Sequence, residues 1–238
     1  MIELERIIPG KVSNSIYQEH LSRYLFASVF TKDKLILDAA CGTGYGSKIL
    51  AYKGRVVGID ISKISIRYAS KYCTDCDFLV MDVTHLGFRN DVFDVICSFE
   101  TIEHIKDYKK YLVEMRRVLK SGGLLIISTP LKEVFSPLIT KPTNPYHVHE
   151  FSVEDIRSIL SKYFSITAIY GQGFSVINRF LFPYIYIVTK FSKYGKYLER
   201  LAERLKAKTK WDYKITYFRK NRLILPKYVI LICGKCQK

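Results

Sequence analysis

Residues 35–46 read LILDAACGTGYG, and this stretch decides the fold. Its apolar half has the character of a buried strand and passes through Asp38 into a turn with three glycines. A helix-like segment follows, and residues 56–60, VVGID, form a second apolar run that ends in a carboxylate. This order predicts a βαβ unit, in which a ligand can approach the backbone at the N-terminus of the helix.

Two carboxylates beside the turn indicate the kind of ligand. Asp60 follows Gly42 by 18 residues, about where an acidic side chain takes the hydroxyl pair of a ribose. Asp38 precedes the turn, where a negative charge disfavours a pyrophosphate and favours a ligand with an ammonium group. A dinucleotide fingerprint would have a third glycine where this chain has Ser47. The sequence therefore predicts an adenosine-bearing cofactor and disfavours a nicotinamide dinucleotide.

Three further apolar runs have the spacing that a doubly wound sheet requires. They are residues 77–83 (DFLVMDV), 93–100 (FDVICSFE) and 124–130 (LLIISTP). Their apolar residues are continuous rather than alternating, which is typical of parallel strands that are buried on both faces.

Together these motifs resemble those of the class I S-adenosylmethionine-dependent methyltransferases. The resemblance implies an α/β Rossmann-like fold with a doubly wound seven-stranded sheet, order 3-2-1-4-5-7-6, strand seven antiparallel and helices on both faces. It implies S-adenosylmethionine as the cofactor. The residues it assigns to cofactor binding are Asp38, Ala40, Cys41, Gly42, Gly44, Tyr45, Asp60, Ile61, Asp82, Val83, Phe99 and Glu100.

Four other segments are similar to methyltransferases of glycan and cell-surface polysaccharide biosynthesis. They are residues 19–24 (EHLSRY), 98–104 (SFETIEH), 144–151 (NPYHVHEF) and 170–172 (YGQ). This closer resemblance implies a glycan or another small molecule as the methyl acceptor.

The length of 238 residues fits a single methyltransferase domain. We divide residues 1–238 into N-terminal lid helices (1–33), a cofactor-binding core (34–174), a basic aromatic-rich insertion (175–226) and a final strand (227–238). The sequence leaves the oligomeric state open.

Hydropathy predicts a cytoplasmic protein. The N-terminus carries Glu3 and Glu5 and has no apolar stretch of signal-peptide length. The apolar run at residues 180–189 is about half as long as a membrane-spanning helix.

Positive charge is concentrated at the C-terminus. Residues 175–238 contain 16 basic and 3 acidic side chains, or +13 of the formal net charge of +16. Three interpretations of the insertion stay open: a peripheral contact with an anionic membrane surface, a nucleic-acid patch, or a substrate lid with solvated lysines. Nucleic acid is the less favoured partner, because residues 98–101 (SFET) replace the Asn/Asp-Pro-Pro-aromatic motif of enzymes that methylate the exocyclic amines of bases.

Candidate catalytic residues lie in the loop after the fifth strand and near the end of the fourth. A hydroxyl acceptor benefits from a base with a pKa near 7, which histidine provides. His147 is the first candidate, followed by His149, two residues further on, and His104. The alternative is that each is a hydrogen-bonded structural histidine.

We predict no metal site. No carboxylate cluster of suitable spacing accompanies the His-x-His pair. The pairs Cys73/Cys76 and Cys233/Cys236 have zinc-ligand spacing, but the expected strand order separates them by five positions.

The favoured function is transfer of a methyl group to an oxygen of a sugar or another small acceptor, lipid-linked acceptors included. The alternatives are an RNA methyltransferase and a non-catalytic adaptor that binds membrane or nucleic acid. The intact glycine and carboxylate set favours the enzyme over the adaptor.

Overall fold

The computed structural model describes residue 7 and residues 13–136, 142, 144–173, 215–218 and 225–235. Within these residues the strands are β1 (Leu35–Ala39), β2 (Arg55–Asp60), β3 (Asp77–Val80), β4 (Phe93–Phe99), β5 (Leu119–Pro130), β6 (Ser165–Gln172), β7 (Ile215–Tyr217) and β8 (Tyr228–Gly234). The α-helices are α1 (Asn14–Ala27), α2 (Tyr45–Ala51), α3 (Lys63–Tyr72), α4 (Tyr108–Val118), α5 (Lys132–Phe135) and α6 (Val153–Ser161). Short 3₁₀ turns occupy Ser28–Phe30 and Ile102–His104.

All eight strands belong to one sheet in the order β3-β2-β1-β4-β5-β8-β6-β7. The first five strands in this order are parallel to one another. Strand β8 is antiparallel to both of its neighbours, β5 and β6. The predicted Rossmann-like fold is therefore confirmed, and β8 takes the place of the antiparallel strand seven in the predicted order 3-2-1-4-5-7-6.

The number of strands differs from the prediction by one. Strand β7 pairs antiparallel with the end of β6 and extends the sheet to eight strands. It lies inside the predicted insertion, 175–226, and three residues are too few to show an alternating pattern. Most of that insertion lies outside the described residues, so its boundaries stay a prediction, as do those of the segments 1–33 and 34–174.

Helices cover both faces of the sheet, as the doubly wound architecture requires. Buried side chains of α4 and α6 belong to one apolar cluster, and buried side chains of α1 and α2 belong to a second. The central strand β1 contributes to both clusters, since Leu37 lies in the first and Ile36 in the second. The helix residues in the first cluster are Tyr111, Leu112, Met115, Ile156 and Leu160, and those in the second are Tyr24, Ala27, Tyr45 and Leu50.

Side-chain caps set the first turns of the helices beside the site. Asp107 accepts a hydrogen bond from the Lys110 amide at 3.0 Å at the start of α4. Ser152 and Asp155 form a reciprocal capping box at the start of α6. Among the described residues, no helix combines the length and the apolar character that crossing a lipid bilayer requires.

A buried junction joins α1, α2 and β1 through Tyr24 and Asp38. The Tyr24 hydroxyl donates to one oxygen of Asp38 at 3.1 Å, and the Ser47 hydroxyl donates to the other at 2.6 Å. Asp38 is completely buried, and burial raises its pKa to about 7 despite these two hydrogen bonds. The Tyr24 ring lies directly over Gly46, where a Cβ atom would come within 2.1 Å of the ring.

Gly46→Ala should lower the free energy of unfolding, although alanine usually stabilises a helix relative to glycine by about 1 kcal/mol. The added methyl group has to displace the buried Tyr24 ring, and such overpacking costs about 1–3 kcal/mol. Urea unfolding measures the change. Gly87→Ala is the matched control, because its Cβ would meet the nearest atom, on Met81, at 3.6 Å. Equal stability of the Gly46→Ala variant and the wild type would contradict this packing.

Asp38 should make stability depend on pH. Its folded pKa of about 7 exceeds the unfolded value of about 3.9. The stabilisation that Asp38 contributes to the folded protein is therefore complete below about pH 4 and is lost as the pH rises to about 7. Asp38→Asn should gain stability relative to the wild type by up to about 1.4 kcal/mol per pH unit in this window, and the gain should level off above it.

Urea unfolding of both proteins from about pH 5 to about pH 8 tests this dependence. Asp77→Asn, which alters an exposed carboxylate at the start of β3, should follow the wild type at every pH. If the free energies of unfolding of the wild type and Asp38→Asn differ by the same amount at every pH in this range, Asp38 is ionised in the folded protein and the prediction is wrong.

Candidate functional site

A cavity of about 580 Å³ opens at the carboxyl ends of the parallel strands, where α/β sheets bind their ligands. The predicted site residues that line it are Ala40, Cys41, Gly42, Tyr45, Asp60, Ile61, Asp82, Val83, Phe99, Glu100, His104 and His147. Three other predicted residues, Asp38, Gly44 and His149, are not in the lining. Gly42 of the glycine turn, Glu103 and His147 all line the same cavity.

The glycine turn has a conformation that favours glycine. Gly42 and Gly44 have positive φ angles of 56° and 76°. A Cβ atom on Gly44 would lie 2.7 Å from the Cβ of Ala69, so this glycine lets the turn pack against α3. A Cβ atom on Gly42 would meet nothing within 4 Å, so the open side of the turn is at the cavity. Gly44 therefore shapes the turn from the side of α3, whereas Gly42 lines the cavity.

Asp60 joins the glycine turn to the end of β2. One carboxylate oxygen accepts from the Gly42 amide at 3.0 Å, and the other accepts from the Ser62 amide at 2.8 Å. The side chain lines the cavity although the residue is only 4% exposed. Asp60 therefore holds the turn in place and lines the cavity, and its contact with the ribose hydroxyls stays a prediction.

Asp38 lies behind the cavity wall. Tyr24 lines the cavity, and its hydroxyl group donates a hydrogen bond to the Asp38 carboxylate. The Tyr24 ring also packs edge-to-face on Phe99 at 4.9 Å between ring centroids. The predicted contact between Asp38 and an ammonium group stays a prediction.

The segment that follows β3 provides a partly apolar part of the cavity wall. Met81 and Val83 line the cavity on either side of Asp82. The Thr84 amide and hydroxyl both donate to one oxygen of Asp82 at 2.8 Å. Partial burial raises the pKa of Asp82, but the Thr84 hydrogen bonds and the His85 and Lys110 charges lower it overall.

Helix α1 contributes a wall that the sequence predicts only as a lid. His20 lines the cavity and contacts the Tyr45 hydroxyl at 3.2 Å. Burial, followed by the charges of Arg23 and Lys227, lowers the His20 pKa well below its usual value, so the ring is neutral. The buried Arg23 guanidinium donates to Gln172 at 2.7 Å, which joins α1 to the end of β6.

Glu103, His104 and His147 meet at the wall formed by the end of β4 and the loop before α6. Their candidate ligand atoms all lie within 4.8 Å of one another, and the two imidazole rings cross at 76° with centroids 4.9 Å apart. Glu103 is completely buried, and burial, reinforced by the Glu100 charge, raises its pKa well above the usual value. The Thr129 hydroxyl donates to Glu103 Oε2 at 3.1 Å.

Backbone hydrogen bonds bring the loop to this position. The amides of Val148 and His149 donate to the Glu103 carbonyl oxygen at 2.9 and 3.0 Å. His147 therefore turns into the cavity, whereas the neighbouring His149 ring packs beside Tyr108 and Phe151. His149 Nε2 contacts the Lys106 carbonyl oxygen at 3.3 Å. The two histidines, two residues apart in the loop, thus have different surroundings.

Sequence reasoning selects just under half of the residues that line the cavity and misses the others. Glu103 lies within the motif at residues 98–104, but the prediction takes Glu100 from that motif and not Glu103. Tyr24, His20, Asn144 and Tyr146 also line the cavity. An acidic residue directly before His104 is the signal that could have identified Glu103.

Comparisons with known proteins agree with this geometry. Residues 37–127 match the family model described as "Methyltransferase domain". A probable S-adenosylmethionine-dependent methyltransferase of Mycobacterium tuberculosis is 29% identical over 158 residues, which are 66% of this chain and 58% of that protein. A malonyl-[acyl-carrier protein] O-methyltransferase of Hamiltonella defensa is 34% identical over 140 residues, which are 56% of this chain and 54% of that protein. The chain thus spans less than two thirds of the length of these relatives.

A solved structure shows the same fold. The putative methyltransferase of Bacillus halodurans has a TM-score of 0.63 with this chain at 16% identity, and the match covers 91% of this chain and 99% of that structure. The cavity also fits the cofactor, because it joins an open glycine turn, the Asp60 carboxylate and a partly apolar wall at Met81 and Val83. Residues 37–127 therefore match a methyltransferase domain, and S-adenosylmethionine is the cofactor that this cavity fits.

Proposed function

We propose that the whole protein transfers a methyl group to a hydroxyl oxygen of a small acceptor, with sugars, including lipid-linked sugars, as the favoured class. The single observation that carries this proposal is one continuous cavity that contains both the glycine turn and the Glu103–His104–His147 group. When bound, the cofactor supplies an electrophilic methyl group on a sulfonium. The residues of the chain then have to bind and orient the acceptor and accept its proton.

Hydroxyl acceptors suit the chemistry of this wall. Methyl transfer is an in-line displacement, so positioning supplies much of the rate. A hydroxyl group must also lose its proton, which a histidine near the oxygen can take. His147 is suited to this task because its side chain is 9% exposed, lines the cavity and lies 3.7 Å from the Glu150 carboxylate. The O-methyltransferase named among the relatives supports an oxygen acceptor.

The location of the acceptor in the cell is a further part of the proposal. We place the protein in the cytoplasm, with a peripheral contact at an anionic membrane surface through residues 175–226. Such a contact would present a lipid-linked acceptor to the cavity. Its support is the charge of +13 within residues 175–238, together with the aromatic run at residues 180–187.

A labelling screen tests the acceptor class. Purified protein is incubated with cofactor labelled in its methyl group and, separately, with glycan intermediates, lipid-linked glycans and RNA. Label is expected in a glycan fraction, in a form that survives treatments that cleave methyl esters. Label in RNA alone would overturn the proposal and favour the alternative of an RNA methyltransferase.

Asp60→Asn should weaken S-adenosylhomocysteine binding at least tenfold. The substitution removes the negative charge that strengthens hydrogen bonds to the ribose, and such bonds contribute about 1.5–3 kcal/mol. Calorimetry measures the dissociation constants. Asp77→Asn is the control, because it removes an exposed carboxylate of β3 that does not line the cavity. Equal affinity of the Asp60→Asn variant and the wild type would contradict the assigned role of Asp60.

A further inference from the structure

A carboxylate and two imidazoles converge on one point of the cavity wall. The candidate ligand atoms of Glu103, His104 and His147 lie within 4.8 Å of one another, and all three residues line the cavity. Two imidazoles and one carboxylate are the donor set with which proteins bind transition metals while leaving coordination positions open. The sequence predicts no metal here because the carboxylate is remote from His147 in the chain.

His104 is oriented in the way that metal ligands usually are. His104 Nδ1 lies 3.0 Å from the Tyr146 carbonyl oxygen, and since a carbonyl can only accept, Nδ1 carries the proton. The lone pair of the neutral ring is then on Nε2. A metal-binding histidine commonly donates its other ring nitrogen to a carbonyl or a carboxylate in this way.

The tautomer of His147 is set by Asn144. The Asn144 amide oxygen accepts from the Tyr146 amide at 3.0 Å, so its NH₂ group faces His147 Nε2, also at 3.0 Å. Nε2 therefore carries the lone pair, and Nδ1–H is on the side of the Glu150 carboxylate, 3.7 Å away. A metal ion would replace the Asn144 amide as the partner of Nε2.

Glu103 supplies a carboxylate oxygen that needs a partner. Oε2 accepts from Thr129, but Oε1 is buried and accepts no hydrogen bond from the residues that the structure describes. Leaving a buried polar atom unsatisfied costs about 1–3 kcal/mol. A bound cation would satisfy Oε1 at the place where the two histidines meet it.

We propose that Glu103, His104 and His147 bind one divalent first-row transition-metal ion in the cavity wall. Two imidazole ligands disfavour Mg²⁺ and Ca²⁺, which prefer all-oxygen sites. The open coordination positions would take oxygen atoms of the acceptor, which favours an acceptor with two neighbouring oxygens, such as a sugar diol. A hydroxyl bound to the metal loses its proton more easily. That proton passes to water, because His147 is then a metal ligand, a role that replaces the general base proposed above. The use of the ion in catalysis rests on the proposed function, whereas the site itself rests on the geometry.

Cobalt(II) is the probe, because its visible d–d absorption reports nitrogen and oxygen ligands. The full chain is freed of metal with a chelator and titrated with Co²⁺, and calorimetry gives the stoichiometry. One ion per chain is expected. Glu103→Gln and His147→Asn should each weaken binding at least tenfold. His85→Asn, which alters an exposed histidine outside the cavity lining, is the matched control and should bind like the wild type.

Two results would overturn the metal site. One is Co²⁺ binding that is absent or equal in all variants. The other is a sulfur-to-cobalt charge-transfer band, which would move the ion to thiolates such as Cys73 and Cys76, whose sulfur atoms lie 2.8 Å apart.

Titration of S-adenosylhomocysteine into each protein separates failure of the proposed metal site from failure of the proposed function. Retained binding shows that Glu103→Gln and His147→Asn are folded, and it leaves the proposed function intact even where Co²⁺ does not bind. A wild-type protein that binds Co²⁺ at this site but does not bind S-adenosylhomocysteine would overturn the proposed function and leave the metal site standing.

Discussion

The hydrogen bonds that Asp60 accepts from Gly42 and Ser62 are the constraint on which the rest of the site depends. They fix a glycine turn that follows β1 to a carboxylate at the end of β2. This arrangement requires parallel neighbouring strands whose carboxyl ends lie at one edge of the sheet, and β1 and β2 meet that requirement. The same edge receives the ends of β4 and β5, so the residues after those strands come to the same cavity.

The part of the cavity wall at Glu103 and His147 depends on a second backbone constraint, the two amides that donate to the Glu103 carbonyl oxygen. They hold the loop before α6 against the 3₁₀ turn after β4, which directs His147 into the cavity and leaves His149 beside Tyr108. One face of the loop thus serves the site and the other serves packing. The proposed acceptor chemistry and the proposed metal site both follow from this single placement.

Much of the fold can be predicted from the sequence because its signals are local. Each parallel strand is a continuous apolar run, and the glycine turn has a distinctive spacing of small and acidic residues. The resemblance to methyltransferases then supplies the strand order. Strand β7 escapes prediction because three residues carry no periodic pattern.

The site is less predictable because it joins residues that are far apart in the chain. Nothing near Glu103 indicates that His147 will lie beside it, so the sequence alone provides no carboxylate for the histidines. Asp38 is the opposite case, since its position before the turn predicts a contact with ligand. In the folded protein its two oxygens accept hydrogen bonds from Tyr24 and Ser47 in the interior, a pairing that only the packing of α1 against α2 creates.

The most direct test of this account is a crystal structure of the protein with S-adenosylhomocysteine. The account predicts that the ribose hydroxyls bind Asp60, that the adenine lies beside Asp82 and Val83, and that the sulfur atom faces Glu103 and His147. A ligand bound elsewhere, or a sulfur atom that faces away from these two residues, would contradict the claim that one cavity holds both cofactor and acceptor.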